Sequence, residues 1–222
     1  MSALIPPHLP GLPAKVAIET IQRQIHDDPG ANGDALLSLG GAVLAVRGYF
    51  RKSFGPTTGN DVGYFDDAFF LVDWKTGVVD RYNGNTDPSR LGRNTAIGKD
   101  FAILQPGVHL FHAGKHKGKA AAWRQADDET ALRLRYHKYF TDYRADGSFR
   151  IWRGAFGANP ETGYFAINCH WGEFSTSSWG CITAPGSPTK GQWLDFQRKS
   201  YKAAATGLLP VVLVDNDVLN LS

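Results

Sequence analysis

The chain has two cysteines and one methionine in 222 residues, so its thiol chemistry has few places to reside and a single disulfide is the most it could form. Charge of one sign is also scarce. A net charge of +3 with scattered basic residues is no nucleic-acid signature. The densest basic group, Lys115 to Lys119 around a glycine, reads as a solvated turn with a weak pull toward anionic polymers. Long apolar runs are missing. Leu208 to Val214 is the longest, interrupted by Pro210 and far short of the ~20 residues a membrane helix needs. The N-terminal "MSALIPPHLPGLPAK" lacks a basic segment followed by a long apolar one, so no secretory signal is expected and synthesis in a cytoplasm is. Internal repeats and a boundary between two domains are likewise not seen.

What is present is core-forming material. Hydrophobic residues make up 42% and aromatics 12%, enough for one sizeable core and against general disorder. The many glycines and aromatics favour short strands and turns. The expected fold class is α+β: a β-rich single domain with an N-terminal helix and a second helix near the C-terminus. Residues 1–40 read as an N-terminal arm and helix, and 41–222 as the main domain.

Four prolines extend the first 13 residues. Ala14, Ala17, Ile18, Ile21 and Ile25 then repeat at helical spacing and predict a helix to His26. Strands are predicted over 41–50 and 67–74, with a hairpin turn at Lys75-Thr76-Gly77. "NGNTDPSRLGRNTAIG" (83–98) reads as a loop, and two short strands flank Pro106-Gly107. A long hairpin is expected over 132–154 about Ala145-Asp146-Gly147, and a strand over 163–171. Ser187 and Pro188 suit an N-cap and first helical residue, opening a helix to about Ala205 with Trp193, Leu194, Gln197 and Tyr201 on one side. "LLPVVLVD" closes as a strand.

Chemistry concentrates in "INCHWGEFSTSSWGCIT", residues 167–183, which holds both cysteines. Strand alternation sets Asn168 and His170 on one face, and Cys169 with the apolar Ile167 and Trp171 on the other. Cys169 therefore reads as a small packed hydrophobe. His170 stands where the strand meets a loop, the usual location of sites. Eight residues with a glycine and four hydroxyls, Gly172 to Trp179, then lead to Gly180-Cys181. Gly180 allows a sharp turn. Cys181 after it can present a sulfur and an N–H, and a thiol needs a base such as His170 to become a nucleophile near neutral pH. The amides of Gly180 and Cys181 are candidates to hold an oxyanion. Two alternatives stand beside this reading. A Cys169–Cys181 disulfide is possible across the eleven intervening residues, and a zinc clip could recruit His109, His112 or His116. On a strand, residues 109 and 112 face opposite sides, which disfavours convergence.

The segment "H170…S178-W179-G180-C181" resembles the signature of the L,D-transpeptidase (YkuD-like) catalytic domain. The resemblance implies a β-rich mixed sheet or sandwich and a cysteine thioester mechanism on peptidoglycan stem peptides. Cys181 matches the nucleophile, His170 the base, Gly180 the preceding glycine and Ser178 the Ser/Thr position. The family's histidine before the glycine is Trp179 here, its frequent Arg or Asn two residues after the cysteine is Thr183, and the His-to-Cys spacing is shorter. "RGYF", "YFDDAFFLVD", "NGNTDPSR" and "INCHWG…S-W-GC" are similar to phage-encoded, wall-lytic relatives with this shorter loop. On that similarity "NGNTDPSR" either lies near the site or shapes the sheet; on its own it is an Asx-rich turn.

What the resemblance implies is a lytic L,D-peptidase that cuts a stem peptide between an L-centre, such as meso-diaminopimelate, and a D-residue. It would work as a monomer without cofactor or metal, and reach the wall after release from the cell. The sequence leaves open which third group orients His170; a backbone carbonyl near Trp171 is one candidate. Cross-linking by transpeptidation is the nearest alternative. A zinc peptidase, and a non-catalytic wall-binding protein whose six tryptophans stack on glycan, stand further off.

Overall fold

Ala17, Ile21 and Ile25 recur four residues apart and are all essentially fully buried along one face of helix α1 (Ala14–Asp27) in a computed structural model of the chain. The structure describes residues 4–50, 53–54, 63–87, 102–104, 106–126, 138–141, 161–162, 167–176, 178 and 180–219. Helix α1 stops at Asp28, which turns extended because Pro29 follows it and disfavours a helical conformation in the residue before. A one-turn helix, α2 (Gly33–Leu37), is capped by the Asn32 side chain, which accepts from the Ala35 N–H.

Eleven strands are described: β1 (Gly41–Arg47), β2 (Asp67–Asp73), β3 (Val78–Gly84), β4 (Ala102–Leu104), β5 (Gly107–His116), β6 (Ala120–Gln125), β7 (Lys138–Thr141), β8 (Glu161–Thr162), β9 (Asn168–Trp171), β10 (Ile182–Ala184) and β11 (Leu208–Asp215). Eight form one mixed sheet in the order β10-β9-β6-β5-β11-β1-β2-β3, and β4-β7-β8 form a smaller one. The fold is thus α+β, mostly β, as the composition and strand patterns led one to expect. The 132–154 hairpin lies outside the described residues apart from β7, as do residues 88–98 and 163–166.

All seven residues of β1 are buried because the centre of the sheet is covered on both faces. Val43 and Ala45 join Phe69, Leu71, Phe111, Trp123 and Leu213 in one core, sealed by Trp193 and Phe196 of helix α3 (Gly191–Ala203). Ala42, Leu44 and Val46 join Phe70, Val72, Val212 and Val214 in a second core, under Ile21 and Ile25 of α1. The N-terminal helix therefore shares a core with the sheet.

Helix α3 begins later than its sequence suggests. Ser187 and Lys190 exchange backbone hydrogen bonds around Pro188 and Thr189, so the fixed φ of Pro188 serves a turn instead of a first helical turn. The inward face also differs. Trp193, Phe196 and Ser200 are buried, while Leu194 and Gln197 are partly exposed. Ser200 is drawn inward because its hydroxyl accepts the indole N–H of Trp123 at 2.8 Å.

The two edges of the large sheet meet. Asn85, just past β3, and Thr183 of β10 each donate a backbone N–H to the other's carbonyl at 2.8 Å. That pair makes the sheet nearly closed and sets β10 between β9 and the end of β3.

Candidate active site at the β9–β10 edge

Alternation on β9 works as read. Cys169 is 3% exposed and packs in the core beneath Trp123 and Ile182, while Asn168 and His170 take the other face. Strand β10 runs parallel to β9, with Ile182 beside Cys169 and Thr183 beside His170. Extended by one residue, that register brings Cys181 beside Asn168. The Cys181 sulfur accepts the Asn168 backbone N–H at 3.4 Å and its Nδ2–H at 3.8 Å. Cys181, Asn168, His170 and Thr183 thus share one face at one edge of the sheet. Both cysteines are free thiols, so the disulfide alternative is not realised.

His170 is almost wholly buried, and its Nδ1 lies 2.6 Å from the Trp171 carbonyl. A carbonyl only accepts, so Nδ1 carries the proton and Nε2 keeps a free lone pair. Burial, reinforced by His116 and Lys117, pushes His170 down to about 3 against the Trp171 hydrogen bond, so the ring is neutral at ordinary pH. Burial likewise raises the Cys181 thiol. The two Asn168 donors, Lys117 and Ser178 oppose that rise. Burial thus shifts both groups toward their neutral forms, a thiol and an imidazole.

The loop before Cys181 is held by its own polar groups. Ser178 is 2% exposed; its hydroxyl accepts the Gly180 N–H at 3.0 Å and donates to the Cys181 carbonyl at 2.7 Å. Gly180 has φ +138°, a conformation that L side chains rarely adopt. Of the two amides expected to hold an oxyanion, that of Gly180 is therefore engaged by Ser178, whereas Cys181 N–H makes no hydrogen bond among the described residues. Gly172 is needed for closeness: a Cβ there would come within 2.9 Å of Phe65 Cζ and Thr183 Cβ. The Thr183 hydroxyl, at the position where the parent signature often has Arg or Asn, donates to the Thr176 carbonyl and ties the loop down. Trp179 lies outside the described residues.

Two residues beside Cys181 and His170 were not read in these places: Asn168 was only assigned to the His170 face, and His116 was only a candidate zinc ligand. Asn168 had a legible signal, since it lies two positions before His170 on the same face. His116 had none. It is 54 residues upstream of His170 in the chain, yet its ring stacks on that of His170 with centroids 4.0 Å apart at 23°. The packing of β5, β6 and β9 across the sheet creates that contact. Lys117 sits in the exposed turn the sequence led one to expect, yet its positive charge adds to burial in lowering His116 and, more weakly, His170. His109 is buried with the interior face of β5, away from His116, and among the described residues no three potential metal ligands converge.

The comparisons with protein-family models, with curated proteins and with solved structures find no match for the chain.

Proposed function

We propose that the chain is a cysteine enzyme that hydrolyses peptidoglycan stem peptides through a thioester at Cys181. The observation that carries this reading is the shared face of Cys181, Asn168 and His170, with His170 Nδ1 tied to the Trp171 carbonyl. The substrate class rests on the resemblance of the 170–181 segment to L,D-transpeptidase domains, and the preference for hydrolysis on its likeness to wall-lytic relatives.

In the proposed reaction, His170 Nε2 takes the thiol proton as Sγ attacks the amide carbonyl. Charge developing on sulfur is met by the two Asn168 donors, each charge-assisted bond contributing roughly 1.5–3 kcal/mol. The tetrahedral oxyanion takes the Cys181 N–H. The C–N bond then breaks, and the leaving amine carries off the proton held on His170. Water, deprotonated by His170, attacks the thioester carbonyl. The C–S bond breaks, releasing the carboxylate and restoring the thiol. Ser178 keeps the nucleophile's loop in place throughout.

Mass spectrometry of digested peptidoglycan, with wild type beside Cys181→Ala, tests this reading. Wild type is expected to release shortened stems, and Cys181→Ala none. Accumulation of cross-linked dimers with no shortened stem would replace hydrolysis by transpeptidation. Equal activity of the two proteins would remove Cys181 from the chemistry. Activity that survives Cys181→Ala but is lost to a chelator would favour a metal peptidase.

A further inference from the structure

A buried polar knot stands behind the point where the sheet closes. Arg47, Asp67, Asn85, Thr86 and Asp87 are each between 0% and 3% exposed. Asp67 Oδ1 accepts the Gly48 N–H at 2.6 Å; its Oδ2 accepts the Thr86 N–H at 2.6 Å and the Thr86 hydroxyl at 2.7 Å. Arg47 donates from Nε to the Thr86 hydroxyl at 3.0 Å and from a terminal nitrogen to the Leu104 carbonyl at 2.8 Å. Its Nε also lies 3.4 Å from Asp87 Oδ1. The Asn85 side chain donates to the Asp87 carbonyl.

Such a knot is an expensive way to stabilise a fold, because each charge loses its hydration and apolar residues of equal volume often do as well. Burial and then the Asp87 charge raise Asp67 to about 7, against its hydrogen bonds and Arg47, which is a sign of that cost. What the knot does specify is the path of the chain. At Gly84 a Cβ would come within 2.4 Å of the Phe69 ring, so glycine there lets the end of β3 lie close against that ring. The next residue, Asn85, then leaves β3 and pairs its backbone with Thr183. Thr183 is in register with His170 and two residues from Cys181. Strand β10 is three residues long, too short to hold its place by pairing with β9 alone.

We infer that the Arg47–Asp67–Thr86–Asp87 knot is a positioning device for the nucleophile: it holds Asn85 against Thr183 and so fixes β10, and with it the alignment of Cys181 on Asn168 and His170. Asp67 and Thr86 are its positioning residues, although neither belongs to the Cys181–His170 face. The strand-fixing part of this inference stands on the fold; only its consequence for catalysis rests on the proposed thiol chemistry.

Thr86→Val and Asp67→Asn test it, each keeping side-chain volume. Amide exchange by NMR reports the Thr183 and Asn85 N–H groups, with Val212 in central β11 as an internal control. Iodoacetamide alkylation reports Cys181. The expected result is exchange at Thr183 and Asn85 faster by about tenfold or more with Val212 unchanged, the mark of local and not global opening. Cys181 alkylation should change in rate, and kcat on a stem peptide should fall more than KM rises. Thr183 protection that stays at the wild-type level in folded Thr86→Val, or that falls only in step with Val212, overturns the inference. Exchange and alkylation need no substrate, so they decide it even where the peptidase reading fails. Should Asp67→Asn not fold, Thr86→Val carries the test.

Discussion

Asn168 and Cys181, 13 positions apart in the sequence, lie side by side where β9 and β10 run parallel, and Asn168 directs both its backbone N–H and its side-chain amide at the cysteine sulfur. The first donor belongs to the backbone and survives any substitution except proline. The second can be removed by mutation. Asn168→Ala should raise the pH midpoint of Cys181 alkylation by iodoacetamide and slow acyl transfer by roughly tenfold, the value of one modest hydrogen bond to a developing charge. An unchanged alkylation profile would leave the side chain without a role at the sulfur.

The two cysteines should behave oppositely. Cys169 is packed among Trp123, Ile182 and Ala184, and burial first, then the neighbouring Cys181, raises its thiol strongly. Cys169→Ala should retain near-normal activity and lower stability by about 1 kcal/mol for the lost packing. In intact protein at pH 7, mass-resolved alkylation should mark Cys181 well before Cys169. Faster labelling of Cys169 would contradict its place in the core.

His170 links stability to acid. Its pKa falls from 6.5 to about 3 on folding. Between those values the unfolded chain binds a proton that the native chain does not, so stability is held above pH 6.5 and declines as pH falls toward 3. His116, also lowered, contributes in the same direction. Urea unfolding at pH 7.5, 6, 5 and 4 should show this decline, and His170→Gln should make it shallower. Equal slopes in the two proteins would mean that the native ring is not shielded from protonation.

Phe196 faces Phe69, Tyr82 and Trp193 from the inner side of α3 and is 1% exposed. Phe196→Ala should cost about 3–5 kcal/mol. Leu194→Ala, on a partly exposed flank, should cost clearly less. Thermal unfolding of the pair checks which face of the helix is inward.

Gly172→Ala should injure the site more than the fold. The new methyl group would press on Phe65 and on Thr183, the residue beside His170. A fall in kcat with little change in melting temperature is the expected signature, and a melting temperature lowered with kcat intact would argue for a purely structural glycine.

Local pattern determined a good deal of this protein by itself. Period-four spacing marked α1, the hairpin at Lys75-Thr76-Gly77 was legible from its turn residues, and period-two alternation sent Cys169 inward and His170 outward. These properties depend on neighbours in sequence, because backbone geometry alone fixes where successive side chains point. The start of α3 was misread for a related reason. Ser187-Pro188 suits a β-turn as well as a helix start, and the backbone bonds between Ser187 and Lys190 decide for the turn.

Only tertiary structure decided the rest. The register of β10 on β9 set Asn168 against the thiol, the packing across β5, β6 and β9 stacked His116 on His170, and the Asn85–Thr183 pair closed the sheet around "NGNTD". Register and closure are choices among pairings of distant segments. They are settled by which arrangement buries two cores at once while satisfying Arg47, Asp67 and Thr86, and no stretch of the sequence carries that information alone.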